Sequence, residues 1–133
     1  MAGYSGTPLW KKLGLKDGMA AAVINPPDGY PDRMLSGGPA ADWGPLRDGI
    51  AFVHLFTPFR AEMEEVLSKA LTQMDRNGMI WVSWPKKTSK LPSEITEDTV
   101  REVALPMGLV DVKVCAVDDI WSGLKLVIRK ELR

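Results

Sequence analysis

Several polar and aromatic side chains directly follow the predicted strands, where ligands of open α/β sheets usually bind. Three predicted strands end in a residue followed by proline, at Asn25, Thr57 and Trp84, and a fourth ends at Asp118. Because parallel strands gather their carboxyl ends at one edge of a sheet, we expect these side chains to lie close together. Proline also ends strands and begins helices in many proteins, so the pattern has a purely structural explanation too.

A short basic segment beside this edge is typical of anion recognition. Lys86, Lys87 and Lys90 follow Trp84. Their ammonium groups could hold a phosphate or a carboxylate against the flat indole ring, although a solvated loop is the structural alternative. The segment has no glycine and is therefore not a phosphate-binding P-loop. The residues predicted to bind a ligand are Asn25, Thr57, Ser83, Trp84, Lys86, Lys87, Asp118 and Trp121.

Within this set, Ser83 and Asn25 are expected to orient a ligand through hydrogen bonds. Trp121 stands at a turn and is expected to pack across the hairpin. Alternatively it joins the ligand edge or contacts another subunit, since aromatic residues are enriched at interfaces.

The chain has one histidine, His54, and one cysteine, Cys115, which limits its metal and redox chemistry. These counts exclude an intrachain disulfide, a thiolate zinc site and a site built from several histidines, so we predict no metal. His54 lies within an apolar strand and is interpreted as a core or edge histidine with its hydrogen bonds satisfied, since catalysis would need a neighbouring carboxylate or nucleophile. Cys115 is interpreted as a small buried hydrophobic residue.

Length and composition predict one α/β domain over residues 1–133. Hydrophobic residues make up 45% of the chain, and seventeen Lys and Arg balance seventeen Asp and Glu. Such a neutral chain lacks the field that holds nucleic acid or an anionic membrane surface. No apolar run is long enough to span a bilayer, and the first residues lack the pattern of a signal peptide, which predicts a cytoplasmic protein without a membrane partner.

The first half of the chain alternates short helices and strands. A helix capped by Thr7, with Pro8 in its first turn, is expected to end at Gly14. An apolar strand follows at residues 19–24, then one or two helical turns within residues 28–35 and a short strand near residues 41–43.

Stronger patterns begin at Ile50. A buried strand at residues 50–56 leads into a helix capped by Thr57, which is expected to end at Asn77 and Gly78, and a strand follows at residues 79–84.

The last third begins with a helix capped by Thr96. Residues 109–117 alternate, with Val110, Val112 and Val114 on one face, and a strand at residues 123–132 completes an antiparallel hairpin. This final strand is a candidate sheet edge, where Lys125 and its basic neighbours would discourage open pairing or set the pairing of a dimer. The order of elements predicts a three-layer, Rossmann-like α/β fold with a mainly parallel sheet, helices on both faces and a C-terminal antiparallel hairpin.

Four sequence motifs carry a resemblance that covers nearly the whole chain. They are Gly3-Tyr4-Ser5-Gly6-Thr7-Pro8-Leu9, Val82-Ser83-Trp84-Pro85-Lys86-Lys87, Thr96-Glu97-Asp98 with Val100-Arg101-Glu102, and Trp121-Ser122-Gly123-Leu124-Lys125-Leu126-Val127. Through them the chain resembles a bacterial family of small proteins known only as a domain of unknown function. Its helix-linked strands and hairpin also resemble the C-terminal half of class I, Rossmann-like methyltransferases, and residues 77–84 look like the turn and strand after the fourth helix of that fold.

The methyltransferase resemblance implies a cofactor site that this sequence does not reproduce. That fold places a glycine-rich turn after its first strand and an acidic residue after its second. Here the first strand is followed by Asn25-Pro26-Pro27-Asp28-Gly29, in which two prolines remove two backbone N–H donors. We therefore predict no cofactor.

Two function classes follow. We favour a non-catalytic domain that binds a protein partner or associates with itself, since no acid–base pair, metal set or nucleotide turn is recognised. The alternative is a protein or enzyme that binds a small anionic ligand or nucleotide at the carboxyl edge. Nucleic-acid binding would need a longer basic groove with several exposed aromatic residues.

Overall fold

A computed structural model describes residues 7–35 and 37–133. Outside the described residues lie Ser36 and Met1 to Gly6, which include the start of the motif Gly3 to Leu9. Among the helices within these two ranges, none combines the length and the apolar character that crossing a bilayer requires.

In the described part of the chain, six strands form one sheet with the order β2-β1-β3-β4-β6-β5. The strands are β1 (Ala20–Ile24), β2 (Asp42–Trp43), β3 (Ile50–Phe56), β4 (Met74–Pro85), β5 (Leu109–Ala116) and β6 (Trp121–Ile128). Neighbours from β2 to β4 pair in parallel, while β6 pairs antiparallel with both β4 and β5. Five strands therefore run one way and β6 runs the other way.

The helices cover both faces of this sheet. They are α1 (Leu9–Leu13), α2 (Tyr30–Leu35), α3 (Arg60–Gln73) and α4 (Glu97–Ala104). One buried cluster joins α3 and α4 to the sheet face of Val53, Ile80 and Leu126. A second joins α1 and α2 to the face of Phe52 and Trp81. The three-layer, mainly parallel α/β architecture is thus confirmed, including the antiparallel C-terminal hairpin.

The start of α3 differs from the prediction, because Thr57 is not its N-cap. The helix begins at Arg60, whose backbone N–H donates to the Glu94 carboxylate at 2.9 Å. Thr57 is fully buried, and its hydroxyl accepts from the backbone N–H of Phe59 at 3.0 Å. A distant carboxylate therefore satisfies the helix end, while Thr57 stabilises the turn before it.

The end of α3 also differs. The helix stops at Gln73 and β4 begins at once with Met74, so Asn77 and Gly78 lie within the strand rather than in a helix cap. Residues 75–78 form an irregularity between the pairs Ile50–Met74 and Phe52–Met79. A Cβ at Gly78 would lie 3.2 Å from the carbonyl oxygen of Ile50, so glycine permits a close backbone approach here.

The final strand is not an edge strand of the sheet, although its basic residues had made it a candidate for that position. β6 lies between β4 and β5, and β5 forms the edge. A register shift between Asp111 and Lys113 also breaks the predicted alternation of β5. Val110, Val112 and Val114 therefore do not share one face, and Val112 and Val114 are 51% and 46% exposed.

The first helix begins directly after Pro8 without a side-chain cap from Thr7, and it ends at Gly14 as predicted. Thr96 caps α4 as predicted and forms a reciprocal capping box with Thr99.

Candidate functional site

The carboxyl ends of β1, β3 and β4 meet at one edge of the sheet. The Asn25 side-chain amide donates to the Phe56 carbonyl at 3.1 Å, and the Thr57 backbone N–H donates to the Ser83 carbonyl at 3.0 Å. The structure therefore brings Asn25, Thr57 and Ser83 side by side at the carboxyl edge of the sheet.

The turn after β1 is closed by contacts within the chain. Besides the Phe56 carbonyl, the Asn25 amide lies 3.3 Å from both oxygens of Glu62 in the first turn of α3. Pro26 and Pro27 supply no backbone N–H. The donors that a glycine-rich turn would offer to a ligand are thus missing here, and the Asn25 amide is already engaged.

The end of β2 carries a cation where the resemblance implies an acid. The strand ends at Trp43, and the Arg47 guanidinium donates to the carbonyls of Asp42 at 2.6 Å and Pro45 at 2.8 Å. The same group lies 3.4 Å from the Asp42 carboxylate. The next carboxylate along the chain, Asp48, comes only two residues before β3 and not at the end of β2.

A cavity of about 190 Å³ lies beside β1 and β2, on the α2 face. Its lining is apolar and consists of Val23, Tyr30, Pro31, Met34, Leu35 and Trp43. The Tyr30 hydroxyl is bonded to His54, and the Trp43 indole N–H is buried without a partner among the described residues. The described lining of the cavity therefore has no charged group for the carboxylate or amine of a methyl-donor nucleotide. Together with the turn after β1 and the end of β2, it shows that the residues present do not fit the cofactor of the fold in its usual position.

A buried hydrogen-bonded chain connects three residues under the sheet edge. His54 Nδ1 lies 3.0 Å from the Tyr30 hydroxyl, and His54 Nε2 lies 2.7 Å from the Ser83 hydroxyl. His54 and Ser83 are fully buried and Tyr30 is 3% exposed. Burial lowers the pKa of His54 to about 3 and raises that of Tyr30 above its ordinary value. The serine and histidine thus form a closed internal network rather than an accessible nucleophile and base.

The β5–β6 turn brings Asp118 and Trp121 to the same end of the sheet as Lys86, but the two side chains serve the turn and the opposite face. The Asp118 carboxylate accepts the backbone N–H groups of Ile120 and Trp121 at 2.8 and 2.7 Å, which fixes the turn between β5 and β6. The Trp121 ring packs edge-on against Phe56, with the ring centroids 5.2 Å apart, on the α1 and α2 face. Trp84 belongs to the buried cluster on the opposite face.

A groove of about 340 Å³ lies at the carboxyl end of β4. It gathers Trp84, Lys86 and Lys87, which the sequence predicted, with Leu91, Thr96 and Ser122, which it did not. The missed residues come from the following loop, the cap of α4 and the start of β6. Only the antiparallel pairing of Trp84 with Ser122 brings this last residue to the groove.

The groove has uncompensated positive charge. In residues 7–35 and 37–133, the ion pairs do not include Lys86, Lys87 or Lys90. The one carboxylate that lines the groove, Glu97, pairs with Arg101 on α4.

Arg101 also bonds Asp98 at 3.2 Å and Asp111 at 2.9 Å, and it holds the pKa of the Asp111 carboxyl below its ordinary value. Cys115 is half-buried and packs against the α1 and α2 cluster. No group of three or more metal-ligating side chains occurs among the described residues.

Solved structures share this fold at low sequence identity. A SAM-dependent methyltransferase from Aquifex aeolicus has a TM-score of 0.65 and 16% identity over 91% of this chain and 88% of its own. The magnesium protoporphyrin IX methyltransferase of Synechocystis PCC 6803 has a TM-score of 0.58 and 11% identity, over 91% of this chain and 74% of its own. These similarities establish a methyltransferase-like fold and no activity.

A structure of LepI in complex with SAM is also similar, with a TM-score of 0.55 and 13% identity over 92% of this chain. The present chain spans 47% of the length of LepI.

No curated protein matches the sequence. A family described as a protein of unknown function (DUF3052) matches residues 54–130, which is more than half of the chain. That range includes β4, the lysine segment and the C-terminal hairpin. The chain belongs to this family of unknown function.

Proposed function

We propose that this chain is a non-catalytic binding domain, which keeps the sheet of methyltransferases and acts by binding a protein partner or a second copy of itself. One observation carries the proposal: the chain's own side chains occupy the ends of β1 and β2. Asn25 is engaged by Phe56 and Glu62, and Arg47 covers the end of β2. With the carboxyl ends of β1 and β2 occupied in this way, the methyl donor has no binding site there, and the domain acts through contacts of its surface with another protein.

The proposal is tested by titrating the protein with S-adenosylmethionine, using calorimetry and thermal unfolding. A ligand at 100 times its dissociation constant would add about 2.7 kcal/mol to the free energy of unfolding. We expect no heat of binding and no shift of the melting temperature at millimolar concentration. Saturable binding, or methyl transfer to any acceptor, would contradict the proposal.

Light scattering then distinguishes the two forms of the proposal. A mass near the 14.7 kDa of one chain indicates a separate partner, whereas twice that mass indicates self-association.

A second candidate function is the binding of a small anion, which the groove at β4 favours through Lys86, Lys87 and Trp84. In this case phosphate or ATP should stabilise the protein, and the double variant K86A/K87A should abolish that effect. Because neither lysine forms an ion pair with a described residue, the unliganded variant should unfold at nearly the temperature of the native protein.

A further inference from the structure

We propose that the groove at the carboxyl end of β4 docks an acidic, partly apolar peptide segment of a partner protein. The inference rests on the proposed binding function and names the surface and the chemistry of the partner.

Charge is the first argument. Lys86 and Lys87 line the groove, and Lys90 follows them on the exposed turn. None of the three takes part in an ion pair with a described residue, whereas Arg47, Arg60, Lys69 and Arg101 all do. Since the chain as a whole is neutral, three lysines within five positions and without an ion-pair partner among the described residues make this segment a local positive site. An acidic ligand complements it.

One exposed apolar side chain lines the same groove, and two others belong to segments that are hydrogen-bonded next to it. Leu91 lines the groove and is 49% exposed. Phe59 is 57% exposed, and its neighbours Pro58 and Arg60 bond through their backbones to Glu94. Ile120 is 40% exposed, and its carbonyl accepts the Lys86 N–H at 2.8 Å. Exposed apolar side chains in and near a charged groove are characteristic of protein contact sites.

Several polar groups near the groove that could hold a phosphate tightly are already in use. The Lys86 N–H is bonded to Ile120, the Ser89 hydroxyl donates to the Lys86 carbonyl at 2.6 Å, and the Ser93 hydroxyl donates to the Ile95 carbonyl at 3.0 Å. What remains at the groove is the Ser122 hydroxyl and a set of long ammonium side chains, without the ring of fixed backbone donors that cradles a phosphate. Such a set matches carboxylates spaced along a peptide better than one compact anion.

The test measures the binding of a fluorescein-labelled synthetic peptide with a repeated Asp-Glu-Leu sequence by fluorescence anisotropy. We expect saturable binding that weakens as salt is raised, since exposed charges are screened. The double variant K86A/K87A should weaken binding by at least about tenfold, because two charge contacts are lost.

A double variant with the same change in net charge, K11A/K130A, serves as the control. Lys11 lies on α1 on the opposite face, and Lys130 follows β6, which ends at the other edge of the sheet. We expect this control to bind the peptide as the native protein does. A peptide with Asn-Gln-Leu repeats should not bind.

Three results would overturn the inference: no binding of the acidic peptide, binding that K86A/K87A leaves unchanged, or equally lysine-dependent binding of phosphate, ATP or a short oligothymidylate that displaces the peptide. If neither the acidic peptide nor S-adenosylmethionine binds, this inference is wrong and the proposed function stands. Binding of S-adenosylmethionine removes the proposed function itself.

Discussion

His54 is held at both ring nitrogens inside the sheet, between the hydroxyls of Tyr30 and Ser83. Its ring also stacks on Phe56, with the centroids 4.1 Å apart. A buried polar group is costly when it lacks hydrogen bonds, and here each nitrogen has a partner. The neutral imidazole is therefore well accommodated, whereas the protonated ring would be a buried charge without a counter-ion among these contacts.

This burial predicts that stability falls on mild acidification. The pKa of His54 is about 3 in the folded protein and about 6.5 in the unfolded chain, so only the unfolded chain binds a proton between these values. Stability is then complete above about pH 6.5 and decreases as the pH falls. Between pH 7 and pH 5 the free energy of unfolding in urea should drop by about 2 kcal/mol.

The control is His54→Gln, because His54 is the only histidine of the chain. If this variant folds, its stability should be nearly constant between pH 7 and pH 5. If it does not fold, an NMR titration of the native protein decides the point. An imidazole that becomes protonated near pH 6 in the folded state would refute the expectation.

At the scale of elements, Gly123 controls how closely β6 approaches β4. An added Cβ would lie 2.9 Å from the Ser83 hydroxyl and 3.3 Å from the Trp81 ring. Ser83 cannot move aside freely, since its hydroxyl is bonded to His54. The position therefore requires glycine for reasons of space.

We predict that Gly123→Ala lowers the free energy of unfolding in urea by about 1–3 kcal/mol, through overpacking between the strands. The neighbouring change Ser122→Ala should alter it by less than about 0.5 kcal/mol. In a Ser83→Ala background, Gly123→Ala should cost clearly less, because the colliding oxygen is gone. Equal costs in both backgrounds would show that Ser83 is not the obstacle.

The elements also show how far sequence reasoning reaches. The strand Ile50–Phe56 and the Thr96 cap were predictable, because a continuous apolar run and a capping pattern are local signals. The cap of α3 was not, because Glu94 reaches it from 34 residues away. Likewise, residue alternation could not reveal the register shift in β5 or the place of β6 inside the sheet, since both depend on pairing between distant strands.

The same limit applies to the candidate site. Strand order brought Asn25, Thr57 and Ser83 to one edge as expected. Burial of the Thr57 and Ser83 side chains, and the separation of Trp121 from Trp84 by the sheet, depend on which face each residue occupies. The lysines were recognisable because consecutive charges on an exposed turn need no partner strand to place them.

For the molecule as a whole, the two layers of helices differ in how firmly they cover the sheet. Among the described residues, nineteen form the buried cluster under α3 and α4 and eleven form the one under α1 and α2. The helices α1 and α2 are only five and six residues long, too short to persist without the sheet. Side-chain bonds to main-chain carbonyls hold them, among them Arg33 to Val117 at 2.7 Å.

This asymmetry predicts that the α1 and α2 layer opens before the rest of the protein unfolds. In native-state hydrogen exchange, amides of α1 should exchange at least about tenfold faster than those of β3 and β4. The Trp81 indole donates to the Leu13 carbonyl at 2.8 Å, so Trp81→Phe should speed exchange in α1 further while leaving α3 nearly unchanged. Exchange of α1 at the rate of the central strands would instead mean that both layers and the sheet unfold as one cooperative unit.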